Sequence, residues 1–408
     1  MELIKKKNNR MEFSVPTNWQ PELIKGIALA NRNREIKEVY GKLIMDDIGG
    51  GRIASSLPFI SRSSVVRHIR ELHEEGLKFN YLINAVCLDN FEFTRPGQKK
   101  IRRLIDWVVN SGADSVTVAN PYLMMWVKKN YPFLSLNVSV MANVDSLEKA
   151  KFWEGLGADK IGLPGPALNR NFKMLKLLRK ALKCKIQLVA NNACLCNCPT
   201  YINHAVMSCH ASQKWHRSKG FMLDYYVLMC RLERLKNPEN IIRSDWIRPE
   251  DIGFYEELGV DSIKLVDRRC STEMIIKIIN AYTARTYQGN ISELFPFFSG
   301  RSFDSHRGWV NKIFNMGDIS SFNPFKVWSH SKLFSKVELM IDNQQLTGFI
   351  QNFPQGCDLV SCDKCGYCRK IASMAVRFDK AYLDKMIEKY KMALNMLFED
   401  GLSFFKTR

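Results

Sequence analysis

Five cysteines and three histidines gather between residues 194 and 230. Cys194, Cys196 and Cys198 lie two apart, Cys209 and Cys230 follow, and His204, His210 and His216 recur at six-residue intervals. Thiolates and imidazoles are ligands of zinc and of iron–sulfur clusters, so this run is a candidate metal site. A zinc ribbon presents paired C-x2-C knuckles, and none occurs in this run. An iron–sulfur cluster held by four cysteines of one long loop tolerates the irregular intervals, and Pro199 after Cys198 matches the Cys-Pro ending of some cluster motifs. Zinc and unliganded thiols remain alternatives. Five candidates for four places leave Cys196 over, on the expectation that neighbours two apart point in opposing directions. The histidines suit proton transfer or anion binding beside the thiols, with His204 and His210 as the candidate catalytic residues. A Cys/His hydrolase nucleophile is the competing chemistry.

A second group, CDLVSCDKCGYC, places Cys357, Cys362, Cys365 and Cys368 with four, two and two residues between them. That spacing fits a second iron–sulfur cluster or a structural zinc equally, and a site that merely folds the C-terminal segment is the plainer version of either. Twelve cysteines in 408 residues argue against a disulfide framework, because a chain of this size does not need staples for its core.

These ligands need a frame. The phrases SGADSVTVANP (111–121), LGADKIGLP (156–164) and LGVDSIKLVD (258–267) each follow an amphipathic segment, and each places a glycine, a short residue and Asp before a β-branched run. That is the joint between helix and strand of a βα unit. Further strands are expected at 11–15, 38–43, 79–85, 134–140, 185–191 and 240–245, giving about nine strands in alternation with helices. A TIM-like (β/α)8 barrel over residues 1–290 fits best, with a doubly wound sheet as runner-up that lacks its G-x-G-x-x-G turn. Residues 291–408 are expected to form a C-terminal cysteine-rich extension: a wrapping segment rich in Phe, Ser, Gly and Asn, the C-x4-C-x2-C-x2-C group, and a helix near 380–398 packing on the barrel through Leu383, Met386, Ile387, Tyr390, Leu394 and Leu397. Cys194 to Cys198 then lie just past the C-terminal end of the 185–191 strand, on the face where such barrels build active sites.

Sixty Lys and Arg against forty-one Asp and Glu leave a net charge of +19, which favours anionic partners such as RNA, phosphates, carboxylate metabolites or a membrane surface, and an anionic small molecule, a peptide or RNA is the expected substrate. Arg52 after the Gly49-Gly50-Gly51 turn, and Asn84, Asn120 and Asn192 at strand ends, are placed to hold carboxylate or phosphate, although each asparagine also suits a turn cap. No run of eighteen apolar residues spans a membrane and no cleavable leader is expected, so the chain reads as soluble and cytoplasmic.

The phrases VYGKLIMDDIGGGR, FNYLINAVCL, VTVANPYL, NVSVMANVDS, NRNF, NNACLCNCPTYINH and GVDSIKLVDR, in this order over about residues 11–290, resemble peptidase family U32, the collagenase-like group. The resemblance implies a TIM-like barrel and, in its better understood branches, a four-iron cluster and oxygen-independent hydroxylation of ubiquinone precursors or RNA bases. It would make Cys194, Cys198, Cys209 and Cys230 the cluster ligands. The glutamate, histidine and glycine of the peptidase-type signature are replaced by Ala190-Asn191-Asn192-Ala193, and the family's SLKIEGR phrase becomes Ser262-Ile263-Lys264-Leu265-Val266-Asp267-Arg268. The expectation is therefore an iron–sulfur-dependent modifying enzyme acting on an aromatic metabolite, peptide or RNA base. A metal- or thiol-dependent peptidase, and a non-catalytic cluster-bearing subunit in a heterodimer with a related chain, are the alternatives.

Overall fold

The computed structural model describes residues 10–54, 57–218, 220, 225–299, 323, 325–326, 329–330, 338–357 and 361–404. Most of the expected wrapping segment after residue 299 lies outside the described residues. Eight parallel strands close a barrel in sequence order: β1 (Glu12–Pro16), β2 (Ile36–Gly41), β3 (Lys78–Ile83), β4 (Ser115–Val118), β5 (Ser135–Val138), β6 (Lys160–Gly162), β7 (Lys185–Val189) and β8 (Ser262–Lys264), with β8 returning to pair with β1. The three repeated phrases lead into β4, β6 and β8. Their glycines, Gly112, Gly157 and Gly259, all hold left-handed backbone at φ of 90°, 94° and 83°, where a side chain would be strained.

The expected strand at 240–245 is instead a short helix, Glu239–Arg243. Pro238 stands at its N-cap, and Ile241 and Ile242 are both buried. A short apolar pair does not distinguish strand from helix by period, and here packing decides.

The barrel interior carries a polar layer. Glu38 of β2 accepts from Ser14 Oγ at 2.7 Å, Ser115 Oγ at 3.2 Å and Asn137 Nδ2 at 3.3 Å, and pairs with Lys160 Nζ at 3.2 Å. Burial alone would raise this carboxyl, but Lys160 and the hydrogen bonds hold it down at about 2. The Glu38 carboxylate thus meets donors from four other strands, while Asn137 Oδ1 in the same layer is buried without a partner.

The described C-terminal residues join the barrel's core. Leu339, Ile341, Leu346, Phe349, Ile350 and Phe353 belong to the same apolar cluster as the strands. The expected terminal helix is present as Lys380–Glu399. Its Met386, Tyr390 and Ala393 bury against Leu228, Leu232 and Leu235 of the helix Tyr225–Lys236, so its seat is this helix, which follows β7, rather than the barrel wall.

Candidate functional site

The chain leaves β7 at Val189 and turns over the C-terminal end of the barrel. Asp245 fixes the turn: its carboxylate accepts from the backbone N–H of Cys194 at 2.7 Å and from Asn192 Nδ2 at 3.0 Å, and its own N–H donates to Cys194 O at 3.1 Å. Asn192 Nδ2 also reaches Cys194 Sγ at 3.1 Å. Burial and then the Asp245 carboxylate push the Cys194 thiol well above its ordinary range, and the neighbouring thiols of Cys230 and Cys198 add to this. Cys230 lies on the helix Tyr225–Lys236, where Arg234 donates to its sulfur at 3.4 Å and to the carbonyl of Ala193. Cys198 and Cys230 thus lie near enough to act on Cys194, and Asn192 and Arg234 aim N–H donors at the sulfurs of Cys194 and Cys230.

Cys209 ends the helix Tyr201–His210 in a different setting. It is fully buried, its sulfur accepts the Val86 N–H at 3.4 Å, and Lys42 and Cys87 lie near enough to act on it. Burial lifts its thiol to about 12. Among the described residues no three Cys, His, Asp or Glu side chains are grouped as ligands of a single metal ion, and all twelve cysteines are outside disulfides.

The mouth beside these thiols is cationic. Arg52 donates through Nε to Asp267 Oδ2 at 2.9 Å, and Arg269 binds the same oxygen at 2.7 Å. Lys42 pairs with Asp46 at 2.7 Å. Two cations have no such partner among the described residues. Arg268 is 4% exposed, and its guanidinium makes neither a hydrogen bond nor an ion pair. Lys264 Nζ sits 3.8 Å over the Tyr40 ring and likewise meets no carboxylate directly. Burial, with Lys160, Arg268 and Arg52 nearby, drops Lys264 to about 7 despite Glu38, and burial lowers Arg268 to about 10. Six basic side chains, Lys42, Arg52, Lys160, Lys264, Arg268 and Arg269, therefore share three carboxylates, Glu38, Asp46 and Asp267. Such an excess away from water is costly unless an anion completes it. Reading the sequence singled out Arg52 but not Arg268 or Lys264. Their signal was the SIKLVDR phrase, which puts both basic residues at the end of β8 or just past it.

The asparagines divide. Asn84 donates to Ser139 Oγ at 3.0 Å and keeps a buried Oδ1 without a partner, facing Gly50 so closely that a Cβ there would stand 2.6 Å from it. Asn120 caps the helix Pro121–Asn130 through Leu123 N and donates to Glu92 at 3.2 Å. Asn192 serves the Cys194 turn. Of the histidines, His210 stacks on His216 with ring centroids 4.2 Å apart, has a buried Nε2 without a partner, and is lowered by burial. His204 packs against Tyr226 at 5.6 Å. Cys357, Cys362, Cys365 and Cys368 line one small cavity together with Arg243 and Tyr367.

Comparison with known proteins gives the following. The profile of peptidase family U32 matches residues 59–197, which run from before β3 to the cysteine-rich turn. An uncharacterized protease of Methanocaldococcus jannaschii is 30% identical over 330 residues, 81% of this chain and 86% of that protein. The tRNA hydroxylation protein P of Escherichia coli is 28% identical over 96 residues, 23% of this chain and 19% of that protein. Its namesake from Haemophilus influenzae is 26% identical over 154 residues, 36% of this chain and 30% of that protein. Among solved structures, that of the U32 peptidase Mk0906 covers 65% of this chain and 96% of its own at 20% identity, with a TM-score of 0.48.

Proposed function

The chain belongs to peptidase family U32, and from that premise we propose that it is a modifying enzyme working at the barrel mouth. In this reading it carries an iron–sulfur cluster of the four-iron type and hydroxylates, or similarly modifies, an anionic aromatic substrate or RNA base without dioxygen, the oxygen atom coming from an organic hydroxyl donor that is reduced by two electrons as the substrate is oxidised. The observation that carries the proposal is that Arg52, which Cys194 acts on, also acts on Arg268 and Lys264, two cations with no hydrogen bond or ion pair to a carboxylate among the described residues. Local likeness to two tRNA hydroxylation proteins supports a modification reaction and makes an RNA base the first substrate to try.

The donor set fits such a cluster in its chemistry: soft sulfur donors, with Asn192 and Arg234 N–H groups aimed at them. Cys194, Cys198 and Cys230 would hold it, with Cys209 as the fourth ligand of this reading. Bound there, it would supply one-electron redox chemistry. The protein's own part is to orient and to compensate charge. Asp245 fixes the Cys194 turn, Asp267 steadies Arg52 and Arg269, and Arg268 with Lys264 receives the anionic group of the substrate.

The test is nucleoside mass spectrometry of RNA from cells with and without the gene. The proposal expects a nucleoside one oxygen heavier that vanishes on deletion and is not restored by Cys194→Ser. RNA unchanged by deletion would turn the search to aromatic carboxylates. The name of the relative matched over 81% of this chain favours a second reading, a peptidase. That reading requires peptide cleavage that survives removal of iron and stops on thiol alkylation or zinc chelation.

A further inference from the structure

Two neighbouring helices begin at the barrel mouth and carry an outer face that neither the core nor the thiol group uses. The short turn Phe91–Phe93 and the helix Arg95–Asn110 follow β3, and the helix Pro121–Asn130 follows β4, so each starts at the C-terminal end of the barrel. The first helix buries Ile101, Leu104, Ile105 and Val108 and turns Arg95, Lys99, Arg102 and Arg103 outward, at the three- and four-residue spacing of one helical face. The second buries Leu123, Met124 and Val127 and leaves Tyr122, Met125, Trp126 and Lys129 exposed or half-buried on its other side. The helices carry five and two basic residues against a single acidic one, Asp106.

Cations and rings alternate across the seam between them. The Arg102 guanidinium lies 5.6 Å over the Trp126 ring, Gln98 donates to the Tyr122 hydroxyl, and Tyr122 meets Phe93 with ring centroids 5.1 Å apart. Farther from the mouth, Trp126 packs on Tyr131 and Tyr131 on Phe133. Two of these rings are open to solvent, Phe93 at 65% exposure and Phe133 at 74%. At the mouth itself Phe91 stacks on Trp215 at 4.2 Å, with Lys100 Nζ 5.9 Å from the Phe91 ring and Lys214 exposed next to Trp215. Trp215 belongs to the loop that follows the Cys209 helix, so the stripe runs on into the thiol-bearing segment.

A row of cations with one carboxylate among them repels itself until a polyanion lies along it, and an exposed ring beside it offers a face to a planar group. Unpaired RNA answers both at once, through its phosphates and its bases, whereas a duplex hides its base faces. We propose that this face is a docking surface for single-stranded RNA, with phosphates along Arg95, Lys99, Arg102 and Arg103, a base stacked on Phe93, and the strand led past Trp215 to the mouth. The helix Arg95–Asn110 is about 24 Å long, the reach of several nucleotides. The surface rests on the proposed function for the strand's destination, and on the charge and ring pattern alone for binding.

The experiment follows a fluorescein-labelled, unstructured single-stranded RNA binding to the full chain by fluorescence anisotropy at rising potassium chloride concentration. The wild type should bind with a steep salt dependence and hold the same strand less tightly once it is annealed into a duplex. Phe93→Ala should weaken binding about tenfold with the salt slope kept, as for loss of one stacked base. Lys99→Glu/Arg103→Glu should weaken binding and flatten the slope by about 1.4, two phosphate contacts at roughly 0.7 each. Phe93, Lys99 and Arg103 are all exposed, so these changes spare the core. The control is Lys173→Glu/Lys176→Glu, the same charge reversal on the exposed side of the helix Phe172–Ala181, which presents no aromatic ring, and it should leave the slope near that of the wild type. Unchanged affinity in Phe93→Ala, or an equal loss in the control, would overturn the proposal. So would a wild type that ignores RNA and forms a dimer which Phe93→Ala dissociates, since the face would then serve a second copy. Binding is read without the reaction. RNA bound here but left unmodified would sink the proposed function and leave the docking surface standing, and modification by a chain whose Phe93→Ala variant binds as the wild type does would do the reverse.

Discussion

Arg268 follows Asp267 directly in the chain, yet the Asp267 carboxylate turns to Arg52 and Arg269 and leaves Arg268 buried without a hydrogen bond or ion pair among the described residues. A buried, unpaired guanidinium is a stability cost that function explains when an anion completes the site. Arg268→Gln should therefore raise the thermal midpoint of the free protein while weakening an anionic substrate by tenfold or more, the loss of about 1.5–3 kcal/mol expected for a hydrogen bond to a charged group. Melting curves with substrate binding check both halves. A lowered midpoint with unchanged binding would give Arg268 a purely structural role.

Lys264 sets a pH dependence. Its surroundings are Glu38, Lys160, Arg268, Arg52 and the Tyr40 ring, and its ammonium loses its proton near pH 7. Anion binding should be strongest below pH 7 and weaken as pH rises through it, with Arg268 still charged. The stability effect has the opposite sense: the unfolded lysine keeps its proton to about 10.5, so this group's penalty is full below pH 7 and is relieved as pH rises from 7 towards 10.5. Lys264→Gln should flatten the binding profile near neutrality, as a titration of affinity against pH would show.

Glu38 titrates in the contrary sense. Its carboxyl is held at about 2 in the fold against 4.5 unfolded, so its contribution is complete above about pH 4.5 and is lost as pH falls towards 2. Glu38→Ala should leave Lys160 as an uncompensated buried charge and destabilise the barrel by about 3–5 kcal/mol. Replacing both Glu38 and Lys160 with methionine should cost less, which urea unfolding of the two variants measures.

The terminal helix depends on a small apolar seam. Leu232→Ala removes a buried side chain between Tyr225–Lys236 and Lys380–Glu399 and should cost about 2–5 kcal/mol. Because that seam is distinct from the main core, limited proteolysis should release the C-terminal helix before the barrel is cut.

Much of the barrel is legible in the sequence because three of its helix-to-strand joints repeat one local solution: a glycine that ends the helix, then Asp, then a strand. Gly112, Gly157 and Gly259 mark these joints. Ile241 and Ile242 misled because two adjacent β-branched residues carry no period, and the proline before them starts a helix. The placement of Cys194 and Cys198 beyond β7 also follows from sequence. What does not follow is which charges pair. Nothing in the order Asp267-Arg268-Arg269 says that the carboxylate bypasses its neighbour, nor does the local sequence say that Asp245 closes the turn at Cys194. Those relations are set by tertiary packing of loops whose local sequence allows several directions.

The most direct test of the account is anaerobic analysis of iron and acid-labile sulfide in the wild-type chain beside Cys194→Ser/Cys198→Ser. The account predicts that about four irons and four sulfides per chain, the content of one four-iron cluster, disappear in the double variant while its folded circular dichroism is kept. Iron and sulfide absent from the wild type, or unchanged by the two substitutions, would contradict it.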